Sequence, residues 1–192
     1  KVSQDVLNLL NNNHIRFHPL HKIQSVPKIG KIGFENGNWS KYDILIGIPP
    51  HRIPEIVRNS GLIAQGQKWI NVDKFSLRTK YENVFAIGDV TEIKVSGNVA
   101  IPKAGVFAEA QAKVVSQQII DDIANDKTKR LPSRFEGKGF CFMEIGNEKA
   151  GYVVADFYNE NGPFTLLEPP SGESYKKKLD FERSKLNEWL LL

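Results

Sequence analysis

The chain has 192 residues, enough for one domain or two small ones with a buried core. With 41% hydrophobic and 25% charged residues and a net charge of +4, it reads as an ordinary globular protein. The mild basic excess suits anionic ligands or an acidic membrane surface and is too diffuse for a nucleic-acid partner. One cysteine excludes an internal disulfide framework and an all-cysteine metal site, and fits a reducing, cytoplasmic setting.

In chain order, Val2, Val6, Leu9 and Leu10 fall at helical spacing, and Asn11-Asn12-Asn13 stops that helix. His14 to His18 alternates, with Ile15 and Phe17 on one side, which predicts a strand. His14, His18 and His21 have spacings that suit a metal only on a helix; Pro19 and the alternation argue against one, so no metal site is assigned. Lys22–Val26 and Lys31–Glu35 are expected strands, and Asn36-Gly37 is a turn before Trp39. Tyr42–Ile48 is an apolar run, expected as a buried strand, that Pro49-Pro50 ends.

Ile53, Ile56 and Val57 suggest a short helix with Pro54 in its first turn and Gly61 at its end. Trp69–Val72 is a further expected strand. Val84–Ile87 runs into Gly88-Asp89 and reads as a buried parallel strand stopping at a site. Glycine there lets a ligand approach the backbone, and Asp89 offers a carboxylate at the sheet edge where open α/β sheets bind ligands. Ordinary turn chemistry is the competing reading of this pair. A helix is expected over 103–124, with Phe107, Ala110, Val114, Val115 and Ile119 on its core face.

Asp126–Arg134 is polar and reads as a linker. Phe140–Ile145 and Tyr152–Phe157 form an antiparallel hairpin through Gly146-Asn147-Glu148-Lys149. Pro163, Pro169, Pro170 and Gly172 punctuate the stretch between that hairpin and the chain end. Tyr175–Leu192 is an amphipathic helix with Tyr175, Leu179, Leu186 and Leu190 on one stripe beside Lys176-Lys177-Lys178. Pattern alone makes Cys141 a buried strand cysteine. No run approaches the ~18 apolar residues of a spanning helix. No signal peptide opens the chain, and Lys1 in place of methionine points to an excised or processed piece.

The block Thr79–Gln118, with its Val84-Phe85-Ala86-Ile87-Gly88-Asp89 and Ile101-Pro102-Lys103-Ala104-Gly105 stretches, resembles the second flavin-binding motif of two-dinucleotide-domain flavoproteins. The likeness is to the sulfide:quinone oxidoreductase and flavocytochrome c sulfide dehydrogenase group, with type II NADH dehydrogenases as cousins. It runs from residue 1 to the end and matches only the carboxyl-terminal half of such proteins. The fold implied is α/β with an α+β carboxyl-terminal part, an incomplete two-dinucleotide-binding-domain (Rossmann-like) flavoprotein. Residues 1–47 would end the NAD-type domain, 48–125 would be the carboxyl-terminal part of the FAD-binding domain, and 135–192 a hairpin and interface helix.

The same resemblance implies FAD as cofactor, held by Gly88, Asp89, Lys103, Ala104 and Gly105. Helix-start N–H groups would stabilise charge on the reduced flavin, and Lys103 would add a positive charge or else be a solvated helix-start lysine. It also implies a redox role for Cys141, in a Cys-Phe-x-x-x-Gly setting kept by Phe142 and Gly146, with Gly105 and Phe142 on the quinone side. Partner cysteines would lie in the missing amino-terminal flavin half. Expected partners are quinone or another small-molecule acceptor, that missing half, a peripheral membrane contact and a second copy in a homo-oligomer. The alternatives are an NADH:quinone oxidoreductase, with NAD as a further cofactor and Cys141 a spectator, and a non-catalytic interaction domain. No Gly-x-Gly-x-x-Gly occurs in these residues.

Overall fold

The computed structural model of the chain describes residues 2–96, 99–124 and 133–190. It divides into two compact units, Lys1–Arg52 and Ile53–Leu192.

The first unit holds helix α1 (Val2–Asn12) and an antiparallel sheet of β1 (Ile23–Lys28), β2 (Lys31–Phe34) and β3 (Trp39–Lys41), in that order. Gly33 lets the Trp39 ring lie flat across the sheet, since a Cβ there would come within 2.9 Å of the indole. The Lys31 ammonium caps the same ring at 4.3 Å. The strand expected at His14–His18 does not form. His14 turns into the left-handed region at φ 56, and the Ile15 amide closes the helix end by donating to Leu10 O. The stretch Tyr42–Ile48 is likewise no buried strand. Beyond the Tyr42 amide bond to Gly30 O it lacks a ladder partner among the described residues, and Ile44, Ile46 and Ile48 are 82%, 91% and 87% exposed.

The second unit starts with the short α2 (Glu55–Arg58), whose first turn closes on Pro54 O. Ile53, Ile70 and Ala86 form a small core beside it. Trp69–Val72 contributes only a single parallel bridge, Ile70 to Thr91. Val84–Ile87, expected as a buried parallel strand, makes one antiparallel bridge from Phe85 to Arg78. Local turn chemistry decides this. The Asp73 carboxylate accepts from the amides of Phe75 and Ser76, and Leu77 adopts φ 63. The chain therefore folds back, and the Ala86 and Thr79 amides bond to Leu77 O and Val84 O.

A 3-10 turn at Gly88–Val90 precedes α3 (Gly105–Ala124). The antiparallel meander β4 (Lys138–Gly146), β5 (Lys149–Asp156), β6 (Phe164–Ser171) and the terminal helix α4 (Gly172–Leu190) complete the unit. β6 is not expected from the sequence, because Pro169 and Pro170 read as breakers. It lies on the sheet edge, where a proline needs no ladder donor. The linker assigned to 126–134 lies largely outside the described residues, as do Leu191 and Leu192.

Helix α3 sits on the sheet through Phe107, which meets Phe157 and Phe135 edge-on at 5.6 and 6.5 Å. That approach requires Gly139, where a Cβ would lie 2.5 Å from the Phe107 ring. Strand alternation turns Gly139 and Cys141 towards one face and Phe140 and Phe142 towards the other. On that other face Phe181 of α4 packs at 5.4 Å from Phe140 and 6.0 Å from Phe142. Of the expected α4 stripe only Tyr175 is half-buried, while Leu179, Leu186 and Leu190 are 38%, 43% and 59% exposed. Ser174, Lys178, Phe181 and Lys185 face inward instead, because the helix must straddle the β4 aromatics. Lys185 ties α4 to α3, its ammonium 2.7 Å from both Glu109 and Glu188.

Two outcomes test this arrangement. Gly139→Ala forces Phe107 off the sheet and lowers stability by ~1–3 kcal/mol, read as a fall in the thermal midpoint. Glu109 is held below its usual 4.5 by hydrogen bonds from Lys113 and then Lys185. Its contribution is full above 4.5 and is lost as pH falls through the lower folded value. Wild type should therefore exceed Glu109→Gln in denaturant resistance at neutral pH, with the gap closing below that value. A pH-independent gap would assign the effect to packing.

Candidate functional site

Gly88 occupies the left-handed region at φ 67, and its missing side chain leaves the turn against Ala108 of α3, where a Cβ would sit 3.4 Å from the alanine methyl. Its N–H donates to Oε1 of Gln111 at 2.6 Å, and its carbonyl accepts from Thr91 Oγ1 at 2.8 Å. Gln111 is 3% exposed. The turn is therefore built onto the helix, not merely followed by it. Gln111 escapes the sequence reading, although it shares the i, i+4, i+7, i+11 stripe of Phe107, Val114 and Gln118. Gln118, also buried, donates to Ser133 O at 2.9 Å.

Asp89 projects from this turn and is exposed. Among the described residues no hydrogen bond or ion pair engages its carboxylate. Lys103 is not a solvated lysine. Its ammonium donates to the carbonyls of Asp89 (2.6 Å) and Thr91 (2.8 Å) and lies 3.5 Å from the centre of the Trp69 ring. Burial pushes its pKa down, against the opposing pull of Asp89 and Glu92.

Ala104 and Gly105 open α3. The Phe107 and Ala108 amides bond to Ala104 O, while the N–H groups of Gly105 and Val106 find no partner among the described residues. Open space surrounds the position of a Gly105 Cβ. On one side Ala104 borders a shallow depression with Gly88, Asp89, Lys103 and Gln111. On the other, Ala104 and Gly105 border an open groove of about 560 Å³, walled by Cys141, Phe142, Phe181 and Trp189 and rimmed by charged α4 side chains. The first turn of α3 thus separates the two recesses and belongs to both.

Cys141 is exposed on β4 and not buried as strand pattern suggests. β4 is an edge strand, so nothing pairs on its outer side among the described residues. Partial burial still raises the thiol pKa, and no neighbouring cation among those residues acts to lower it. The sequence-selected residues therefore fall into two groups that share Ala104: Gly88, Asp89 and Lys103 in the depression, Gly105, Cys141 and Phe142 in the groove. Phe181 and Trp189 join the groove without a motif in the sequence to mark them. Among the described residues no cluster could hold a metal ion, and no helix is long and apolar enough to cross a membrane.

No family model matches the chain. It is 27% identical over 136 residues to the sulfide-quinone reductase of Aquifex aeolicus, covering 66% of this chain and 31% of that protein. To the mitochondrial sulfide:quinone oxidoreductase of Dictyostelium discoideum it is 27% identical over 161 residues, 82% of this chain and 33% of the relative. To that of Mus musculus it is 32% identical over 117 residues, 60% and 23% respectively. The chain thus spans about a third or less of these curated relatives. The crystal structure of the Aquifex aeolicus sulfide:quinone oxidoreductase superposes with a TM-score of 0.71 at 23% identity, over 94% of this chain and 43% of that one. Over most of its length the chain is therefore similar to part of the sulfide:quinone oxidoreductases, and it has the incomplete dinucleotide-binding flavoprotein fold that its sequence resembles.

Proposed function

We propose that this chain is the carboxyl-terminal part of an FAD-dependent oxidoreductase that passes electrons from a sulfide-type donor to quinone. Residues 1–47 would close an NAD-type domain, 48–125 the FAD-binding domain, and 135–192 an interface element. The observation that carries the reading is the first turn of α3, shared between the Gly88-Asp89 recess and the Cys141-Phe142 groove. The residues present fit such a cofactor: an exposed Asp89 carboxylate, Gly105 and Val106 N–H groups that have no hydrogen-bond partner among the described residues, and space over Gly105.

FAD, when bound, supplies the exchange of electrons between donor and acceptor. The protein's own part is positional. Asp89 would accept hydrogen bonds from ribityl hydroxyls, and the free N–H groups at the positive end of α3 would favour negative charge at the flavin edge. Gly105 would leave room for a flat ring against the backbone, with Phe142 and Phe181 among the apolar walls. Cys141 would meet the sulfur donor together with cysteines of an amino-terminal half, which would also carry the pyrophosphate-binding βαβ unit. The apolar outer stripe of α4, with its lysines, would make the membrane or dimer contact.

One observation favours the NADH:quinone alternative. A thiol whose pKa burial raises, with no cation beside it, is not an activated nucleophile by itself. On that reading Cys141 is a spectator. Cys141→Ser in the intact protein separates the two: loss of sulfide-dependent flavin reduction with retained NADH-dependent reduction supports the sulfide reading, and wild-type sulfide rates promote the alternative. Asp89→Ala should cost ~1.5–3 kcal/mol in FAD affinity with little change in thermal midpoint, since among the described residues its exposed carboxylate accepts no hydrogen bond and only pulls on the Lys103 charge. Unchanged flavin affinity with a lowered midpoint would make Asp89 a turn residue. Gly105→Val should raise KM for quinone without unfolding the protein, and an unchanged KM would move the acceptor elsewhere.

A further inference from the structure

We infer that Lys103 is a positioning residue: it locks the Gly88–Thr91 turn to α3 and Trp69, so that its charge is spent inside the protein and not on the flavin. This rests on the reading that the turn and the start of α3 hold FAD, but the lock itself does not depend on that reading.

Three contacts converge on one ammonium group. It donates to Asp89 O at 2.6 Å and to Thr91 O at 2.8 Å, two carbonyls at the end of the turn. It also lies 3.5 Å above the centre of the Trp69 ring. Trp69 precedes Ile70, whose N–H donates to Val90 O and whose carbonyl accepts from the Glu92 amide. Three separate stretches, 69–70, 88–92 and 103–105, are thus brought to one point. Two of the three N–H bonds of an ammonium are used by the carbonyls, and the aromatic face covers it further.

A charge so engaged is held back from a ligand, because moving towards the ligand would break two hydrogen bonds and leave the part-buried Thr91 carbonyl without its donor. Its value is geometric. The Asp89 carbonyl it grips belongs to the residue whose carboxylate projects from the turn, so the grip fixes where that carboxylate stands relative to Gly105. Positive potential at the start of α3 then comes from the Gly105 and Val106 N–H groups, unpartnered among the described residues, which need no side chain.

The test compares Lys103→Met and Lys103→Arg with wild type in the intact protein, using amide exchange of the Gly88–Glu92 peptide, FAD affinity and the midpoint potential of bound flavin. The lock predicts that Lys103→Met speeds exchange and weakens FAD by about tenfold or more, the scale of one lost charge-assisted hydrogen bond. Flavin that remains bound keeps its potential. Arginine can both donate to the carbonyls and stack on the indole, so Lys103→Arg recovers exchange protection and affinity. Unchanged exchange in Lys103→Met overturns the lock whatever happens to flavin. A lowered potential with unchanged exchange and affinity also overturns it and makes Lys103 a charge facing the flavin. If the wild-type protein binds no flavin, the FAD reading fails, while faster exchange in Lys103→Met with recovery in Lys103→Arg still supports the lock.

Discussion

The seating of α3 is the constraint on which the rest of the second unit depends. Phe107 fits the sheet because Gly139 gives it no side chain to meet, and Gln111 and Gln118 accept burial because each bonds a fixed backbone group. Gly88 adopts its left-handed form where its turn meets Ala108 of the helix and donates to Gln111. One helix therefore sets the distance between the Gly-Asp turn and the β4 edge strand. That geometry places Ala104 at the border of both recesses and Gly105 in the groove alone. A buried polar side chain is costly when unpaired, so both glutamines pin the register of α3 as well as its position.

How much of this is legible in the sequence depends on whether the signal is local. The Gly88-Asp89 turn, α3 and the β4–β5 hairpin are written in short-range features: a turn glycine, an apolar helical stripe, and alternation around Asn147 and Glu148. The stretches 42–48 and 84–87 have the composition of buried strands but form none, because a strand requires a neighbour and composition does not name one. In the first case the apolar residues lie exposed; in the second, Asp73 and Leu77 redirect the chain locally. β6 departs from expectation the other way, since its prolines forbid a central strand while permitting an edge. For α4, the leucine stripe looks like the buried face, yet the aromatic demand of Phe140 and Phe142 selects Phe181 and turns the leucines outward. Of the site, residue types at Gly88, Asp89, Gly105, Cys141 and Phe142 are readable. The roles of Gln111, Trp69 and Lys185 are not, because each acts on a residue distant in sequence.

Two lysines illustrate a common principle. Lys103, which in sequence is a charge offered to a ligand or to solvent, and Lys185, which no sequence motif marks, are both committed within the unit. Lys103 meets carbonyls and an indole, where burial works against its charge; Lys185 meets Glu109 and Glu188, which raise its pKa. The difference lies in the partner. The Lys103 charge is met by carbonyl dipoles with the Asp89 and Glu92 carboxylates nearby, the Lys185 charge by carboxylates in direct hydrogen bonds. The first arrangement fixes a backbone turn; the second holds two helices across the mouth of an apolar groove.

That groove also constrains what Cys141 can do. Its wall is aromatic and its polar groups sit at the rim, where Glu109, Lys178, Glu182 and Lys185 are largely paired with one another. Such a lining favours a neutral, flat molecule over an anion, because each rim cation already has its counter-charge. The same pairing leaves no cation among the described residues to draw the thiol proton away, and burial raises the Cys141 pKa. On the proposed reading, sulfur chemistry at this atom needs a cation or a disulfide partner beyond the described residues, and a thiol of raised pKa is then better attacked than expelled. A sulfur that enters as part of a disulfide needs no depressed pKa of its own to be attacked by an incoming sulfide anion. The apolar wall and the raised thiol pKa therefore fit the proposed reading when Cys141 enters as the attacked sulfur of such a pair, beside a groove that takes a flat, neutral molecule.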